Sequence, residues 1–199
     1  MKRTGNTRMA QLAPSEIRAM TQACAKAKGL NMAQGVCDTP VPVPVREGAK
    51  QAMDHGFNTY TRFDGLAELR QAVARKLARY NGIQADPETD ITVSAGATGS
   101  FHCASAALLN PGDEVILFEP YYQYHATALK SVDAVPVAVR MQPPDWTFSL
   151  DEVERAVTDR TRAIVINSPG NPSGKVFSRV ELEGIAELAT RHDLFVFTD

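Results

Sequence analysis

The residues best suited to chemistry sit in four short stretches, each following an apolar run. The first is Asn167-Ser168-Pro169-Gly170-Asn171-Pro172-Ser173-Gly174, after Ala163-Ile164-Val165-Ile166 and before a helix start at Ser178. Two prolines, two glycines and two asparagines in eight residues cannot continue a strand or a helix. The octet therefore lies where a buried strand hands over to a helix, at the carboxyl edge of an α/β sheet, where ligands bind. A rigid loop with amide and hydroxyl groups there suits a polar cofactor; Asn-Pro alone would be an ordinary turn. The second stretch is Ser94-Ala95-Gly96-Ala97-Thr98-Gly99. Small residues let a ligand approach the backbone, and amides at a helix start bind phosphate. A tight packing turn is an equal reading of this stretch alone. It has neither the dinucleotide glycine pattern nor a P-loop lysine, so a nucleotide is not favoured. The third is Glu119-Pro120-Tyr121-Tyr122-Gln123-Tyr124, whose aromatics can stack on a planar ring, with at least one read as core filler. The fourth is Thr198-Asp199. A carboxylate at a buried strand end is costly without a cationic partner, such as a protonated heterocycle nitrogen. The alternative is a helix N-cap.

The elements that must hold these stretches alternate. Strands are predicted at Ile91–Ala95, Glu114–Phe118, Ala134–Val139, Ala163–Ile166 and Leu194–Thr198. Helices are predicted from Ala97, over Tyr122–Ser131, after the capping box of Ser149 and Glu152, and after that of Ser178 and Glu181. Such alternation gives an α/β fold: a mainly parallel sheet with helices on both faces. Earlier, a helix is expected from Pro14 to Lys28 and a short one over Val45–Asp54. Residues 1–13 read as a polar, mobile tail. Alternating prolines from Pro40 to Pro44 force extended chain. A further helix carries Leu66, Leu69, Val73, Leu77 and Tyr80 on one face, and Asn81-Gly82 ends it. Glu68, Arg70, Arg75, Lys76 and Arg79 read as its solvated face. Residues 1–55 do not follow the alternation and are read as an amino-terminal arm and small-domain segment; 56–199 are read as an incomplete large domain.

Composition excludes several classes. The chain has 199 residues, 44% hydrophobic and 22% charged, with net charge −2 and pI about 6.1. Nothing here favours nucleic acid or an anionic membrane as partner. Cys24, Cys37 and Cys103 are odd in number and outside any metal spacing, as expected of a reduced, cytosolic protein. His55, His102, His125 and His192 form no metal motif and read as surface or packing residues; Cys103 is read as packing in a helix, and Trp146 has no evident partner. No apolar run approaches the roughly 20 residues needed to span a bilayer. Ending on a strand-like Leu194–Asp199 suggests a fragment of a longer protein.

Together, the octet, Ser94–Gly99, Tyr60–Leu66 and Gln34-Gly35 before a proline-rich stretch resemble the class I/II aminotransferase family of fold-type-I pyridoxal-phosphate enzymes. The similarity is strongest to the kynurenine, methionine and aromatic aminotransferase subgroup and covers residues 12 to 199. The resemblance implies that Gly96 and Ala97 give N–H groups to the phosphate of pyridoxal 5'-phosphate, with Thr98 nearby. It implies that Tyr122 stacks on the ring, Asn171 bonds the phenolic oxygen and Asp199 pairs with the pyridine nitrogen. Gly35 would meet the substrate carboxylate, together with Asn171. Tyr60 would reach the phosphate of the neighbouring subunit in a homodimer.

The departures from the family are specific. Its Schiff-base lysine lies in a Ser-x-Ser-Lys type stretch, and none of Lys2, Lys26, Lys28, Lys50, Lys76, Lys130 and Lys175 is in one. Lys175, after the octet, reads as a surface position. No catalytic residue is therefore assigned within the chain. The parent protein is expected to transaminate between an amino acid and a 2-oxo acid, and this chain alone is not. Two later strands of the family's sheet are missing, so Ile91–Ala95 is expected not to pair with Leu194–Thr198. Alternatives are a carbon–sulfur β-lyase on the same scaffold, a non-enzymatic aminotransferase-like domain, and an inert truncated product.

Overall fold

The computed structural model describes residue 12 and residues 15–199. The expected tail and the Pro14 helix start thus lie outside the described residues, Leu12 apart. The chain divides into two compact units, one ending at Ser94 and one spanning Ala95–Asp199.

The amino-terminal unit holds three helices: α1 (Glu16–Lys26), α2 (Val43–Asp54) and α3 (Ala67–Lys76). The chain leaves α3 through a wide helical turn, Leu77–Asn81, which Gly82 closes in the left-handed conformation at φ 71°. Two expectations fail here. Residues 91–94 form no strand. Their apolar pattern is satisfied locally instead: Ile91 is buried, and the Val93 amide donates to the Asp64 carbonyl at 3.0 Å. Arg70 is not on a solvated face but fully buried, while Leu66, Leu69 and Tyr80 of the apolar stripe are exposed.

Paired carboxylates explain the burial of Arg70. Its guanidinium lies 3.4 Å from Asp64 Oδ2, donates to Glu88 Oε1 at 3.2 Å and also reaches the Pro87 carbonyl. Arg62 grips Asp64 from the other side with bonds of 3.0 and 2.7 Å. Two arginines thus neutralise two carboxylates, the condition under which charge tolerates burial. Arg70 Nε has no partner among the described residues. Gly65 sits beside this cluster at φ +100°, and a Cβ there would fall 2.7 Å from Val93 Cβ. Only glycine fits both the conformation and the space.

The carboxyl-terminal unit opens with α4 (Gly96–Leu108), then β1 (Glu114–Glu119), α5 (Gln123–Ser131), β2 (Val135–Arg140), α6 (Leu150–Ala156), β3 (Thr161–Ile166), α7 (Arg179–Arg191) and β4 (Phe195–Thr198). All three strand pairings are parallel, and the order is β2-β1-β3-β4. Both anticipated capping boxes form, at Ser149/Glu152 and Ser178/Glu181.

The strands are apolar on both faces because both faces are covered. Ile116, Phe118, Ile164 and Ile166 face Val153 of α6 and Ile185 and Leu188 of α7. Val115, Leu117, Ala163 and Val165 face Ala126 and Leu129 of α5, with Phe101 of α4 against the same cluster. Trp146 packs at the margin of the first core. Cys103 lies in α4 but is exposed, so it does not contribute packing there. Among the described residues β4 pairs with β3 alone; the expectation about Ile91–Ala95 presupposed a strand that does not form. Phe195 and Val196 of β4 are 47% and 40% exposed.

Candidate functional site

Three of the four chemistry-bearing stretches converge where β1 and β4 end and α4 begins, and the fourth, the octet after β3, walls an adjoining recess. Ala97, Thr98, Phe101, Tyr122, Tyr124, His125 and Asp199 line one recess. A second recess shares His125 and is walled by Tyr121, Asn167, Gly170, Asn171, Ser173 and Lys175.

One end of the first recess is the start of α4. Gly96 takes φ +75°, and none of the described residues lies within 4 Å of where its Cβ would be. The first-turn amides of Ala97 and Thr98 have no acceptor within the helix. With the helix dipole, amides so placed are of the kind that can receive an anion.

The Asp199 carboxylate lies in the same recess. Its Oδ2 is 2.9 Å from His125 Nε2, and the Asp199 side chain is 36% exposed against 5% for the histidine. A proton on Nε2 donates to the carboxylate, which fixes the ring tautomer. The ring is itself fixed by Phe101, 4.7 Å away between centroids, and by the edge-on Tyr122 at 5.4 Å. The backbone of Asp199 continues the ladder to β3, donating to Ile166 and accepting from Ser168.

The octet holds itself together. Gly170 donates to the Lys175 carbonyl at 2.7 Å, and Gly174 to the Gly170 carbonyl at 2.6 Å. The Asn167 side chain accepts from the Asn171 amide at 2.7 Å and donates to the Asp199 carbonyl at 3.1 Å. Ser168 Oγ accepts from the Phe177 amide at 3.2 Å. Lys175 corrects the expectation of a surface position. Its side chain is 9% exposed, and the ammonium lies 2.6 Å from Glu181 Oε1 and over the Phe148 and Phe177 rings. Burial pushes the Glu181 carboxyl up, but bonds from Lys175 and Ser178 outweigh it and hold the group below the usual carboxylate range. Lys175 is thereby tied to the first turn of α7.

Of the residues singled out in the sequence, Ala97, Thr98, Tyr122 and Asp199 share one recess, and Gly96 opens the helix beneath it. Asn171 lines the adjoining one. Tyr60 and Gly35 belong to the amino-terminal unit and are exposed there. No lysine lines the recess of Ala97 and Asp199 among the described residues. The sequence reading missed His125 and Asn167. His125 is the buried polar residue beside Ala126, Ala128 and Leu129 on α5, three positions after Tyr122. That placement was its only signal, since the contact with Asp199 spans 74 positions. Chemically, the recess offers amides to an anion, an aromatic wall to a planar ring and a supported carboxylate to a cation.

Comparisons with known proteins bear on the family and the fold. Aromatic-amino-acid aminotransferase 2 of Thermococcus litoralis is 36% identical over 194 residues, covering 96% of this chain and 50% of that protein. The N-succinyldiaminopimelate aminotransferase structure of Mycobacterium tuberculosis superposes with a TM-score of 0.93 at 36% identity, over 98% of this chain and 52% of that one. The methionine aminotransferase structure of Escherichia coli gives 0.91 at 31% identity, over 98% of this chain and 51% of that one. The chain thus spans about half the length of the relatives it matches. The model of the family described as aminotransferase class I and II matches residues 27–199. With the parallel sheet and the turns at its carboxyl edge, that match places this chain in the class I and II aminotransferase family.

Proposed function

We propose that this chain is the cofactor-recognising half of a pyridoxal-phosphate-dependent aminotransferase, which moves an amino group from an amino acid to a 2-oxo acid. The observation that carries the reading is the recess joining the α4 amino terminus to a carboxylate held by a buried histidine. Its donor set suits a planar, cationic heterocycle with a phosphate arm. Gly96, Ala97 and Thr98 would hold the phosphate, Tyr122 the ring face, Asn171 the phenolic oxygen and Asp199 the ring nitrogen. When bound, the cofactor supplies an electron sink for bond cleavage at the substrate Cα.

The chain's own residues set the conditions for that chemistry. Asp199 would hold a proton on the ring nitrogen, since an opposite charge close by favours the charged form. His125 orients the carboxylate and donates to it. Gly35 and Asn171 would receive the substrate. Tyr60 would serve the phosphate of a neighbouring subunit, making the whole protein a homodimer. In domain terms, 1–55 would be the arm and small-domain segment and 56–199 the incomplete cofactor domain. Among the described residues no helix is long and apolar enough to cross a membrane; with three free cysteines, a cytosolic location fits. The lysine that attaches the cofactor is not assigned to any lysine of this chain, so transamination belongs to the whole protein.

The test is an assay of the whole protein with an amino acid and a 2-oxo acid, alongside pyruvate and thiol release from a cysteine conjugate. Amino transfer that requires the oxo acid is expected. Oxo-acid-independent release of pyruvate and thiol would replace the reading with a β-lyase.

A further inference from the structure

We infer that Asn167 is a positioning residue that locks two cofactor-binding groups, Asn171 and Asp199, into one rigid unit. The inference rests on the cofactor reading above and assigns a role to a side chain that would itself bind no ligand atom.

Both ends of the Asn167 carboxamide are used. Its Oδ1 accepts the backbone N–H of Asn171 at 2.7 Å. Its Nδ2 donates to the Asp199 carbonyl at 3.1 Å and lies 3.4 Å from Asp199 Oδ2. Asn171 and Asp199 are 28 positions apart and belong to different loops, after β3 and β4. A carboxamide carries an acceptor and a donor on one planar group, so a single side chain can hold both. The isosteric alternatives cannot: aspartate has no donor for Asp199, and leucine bonds to neither.

The octet leaves little other freedom. A Cβ on Gly170 would lie 2.9 Å from Ser173 Oγ and 3.2 Å from the Asn167 carbonyl, so the loop is closed tightly at its base. Lys175 fastens its far end to Glu181. Asn167 is the near-end fastening, and it is the one that also touches the carboxylate. A ligand bonded to Asn171 at one edge and Asp199 at another would therefore meet a preset separation. Preset groups bind more tightly because no ordering remains to be done on binding.

The experiment uses the 199-residue chain and two probes. Pyridoxamine 5'-phosphate lacks the aldehyde, so it cannot label lysines, and it engages the phosphate turn, Asn171 and Asp199 together. Inorganic phosphate engages only the turn at Gly96–Thr98. Affinities are measured by titration calorimetry and phosphorus NMR, and the exchange rate of the Asn171 amide by proton–nitrogen NMR. Asn167→Leu is expected to weaken pyridoxamine 5'-phosphate binding about ten-fold, the scale of a hydrogen bond lost in a preorganised site. It should leave phosphate affinity unchanged and expose the Asn171 amide to exchange. Asn167→Asp keeps the acceptor, so the Asn171 amide should stay protected while pyridoxamine 5'-phosphate still binds about ten-fold more weakly. Equal affinity of the wild type and both variants for pyridoxamine 5'-phosphate would overturn the inference. So would a parallel loss of both probes, which marks general loosening of the fold. Failure of the wild type to bind pyridoxamine 5'-phosphate would overturn the cofactor reading and the inference with it.

Discussion

At the scale of single residues, Arg70 carries a full charge into a site with no measurable exposure. It is held there by Asp64 and Glu88, with Arg62 completing the balance. Removing one partner of such a group leaves the other buried and uncompensated. Arg70→Met should therefore lower stability by about 3–5 kcal/mol, and Arg62→Gln, on an exposed side chain, by about 1 kcal/mol or less. Urea unfolding of the two variants checks this; equal, small effects would show that the network contributes little. Helical periodicity had placed Arg70 on the wet face because it compares only neighbours along one helix. The residues that bury it lie six positions before it and eighteen after. His125 was illegible for the same reason. Its partner is a carboxylate 74 positions away, and the histidine acquires meaning only when the sheet brings them together. The carboxylate and the small-residue turn were legible, because a charge or a glycine run at a strand end has few structural uses.

At the scale of elements, the βα alternation after residue 96 was legible almost throughout, with strand boundaries off by one or two positions. Capping boxes and apolar runs are local signals, and they survive folding. The run at Ile91–Ala95 shows the limit of that legibility. An apolar pentapeptide becomes a strand only if neighbours offer a ladder, and here Val93 bonds to Asp64 instead. The base of the sheet is fastened by Glu114 at the start of β1. Its carboxylate accepts from Thr158 Oγ1 at 2.6 Å and from the Arg160 guanidinium, both in the turn before β3. The Thr158 hydroxyl and then Arg160 hold its carboxyl below the usual glutamate range, against the opposing effect of burial. A depressed carboxylate stabilises the fold fully above its unfolded value. The stabilisation is lost as pH falls below about 4 and through the folded value. Glu114→Gln should lower the thermal midpoint at pH 7 and flatten the fall in stability on acidification, measured by circular dichroism from pH 7 to 3. An unchanged acid limb would assign that fall to other carboxylates.

At the scale of the whole molecule, the chain carries one side of the proposed cofactor site and spans about half the length of its relatives. The half it carries has its own two-sided core, in which β1 and β3 are buried and β4 is partly exposed. Among the described residues β4 pairs on one side only, and such edges invite association, so Phe195 and Val196 mark the first place to look for self-pairing. The most direct measurement is equilibrium dialysis of pyridoxal 5'-phosphate against the 199-residue chain, followed by borohydride reduction and peptide mapping. Saturable, reversible binding is expected, weakened at least ten-fold in Asp199→Ala by loss of a charge-assisted contact, with no lysine selectively fixed. Binding that is not saturable, or one lysine fixed stoichiometrically with amino-acid-dependent turnover, would contradict it.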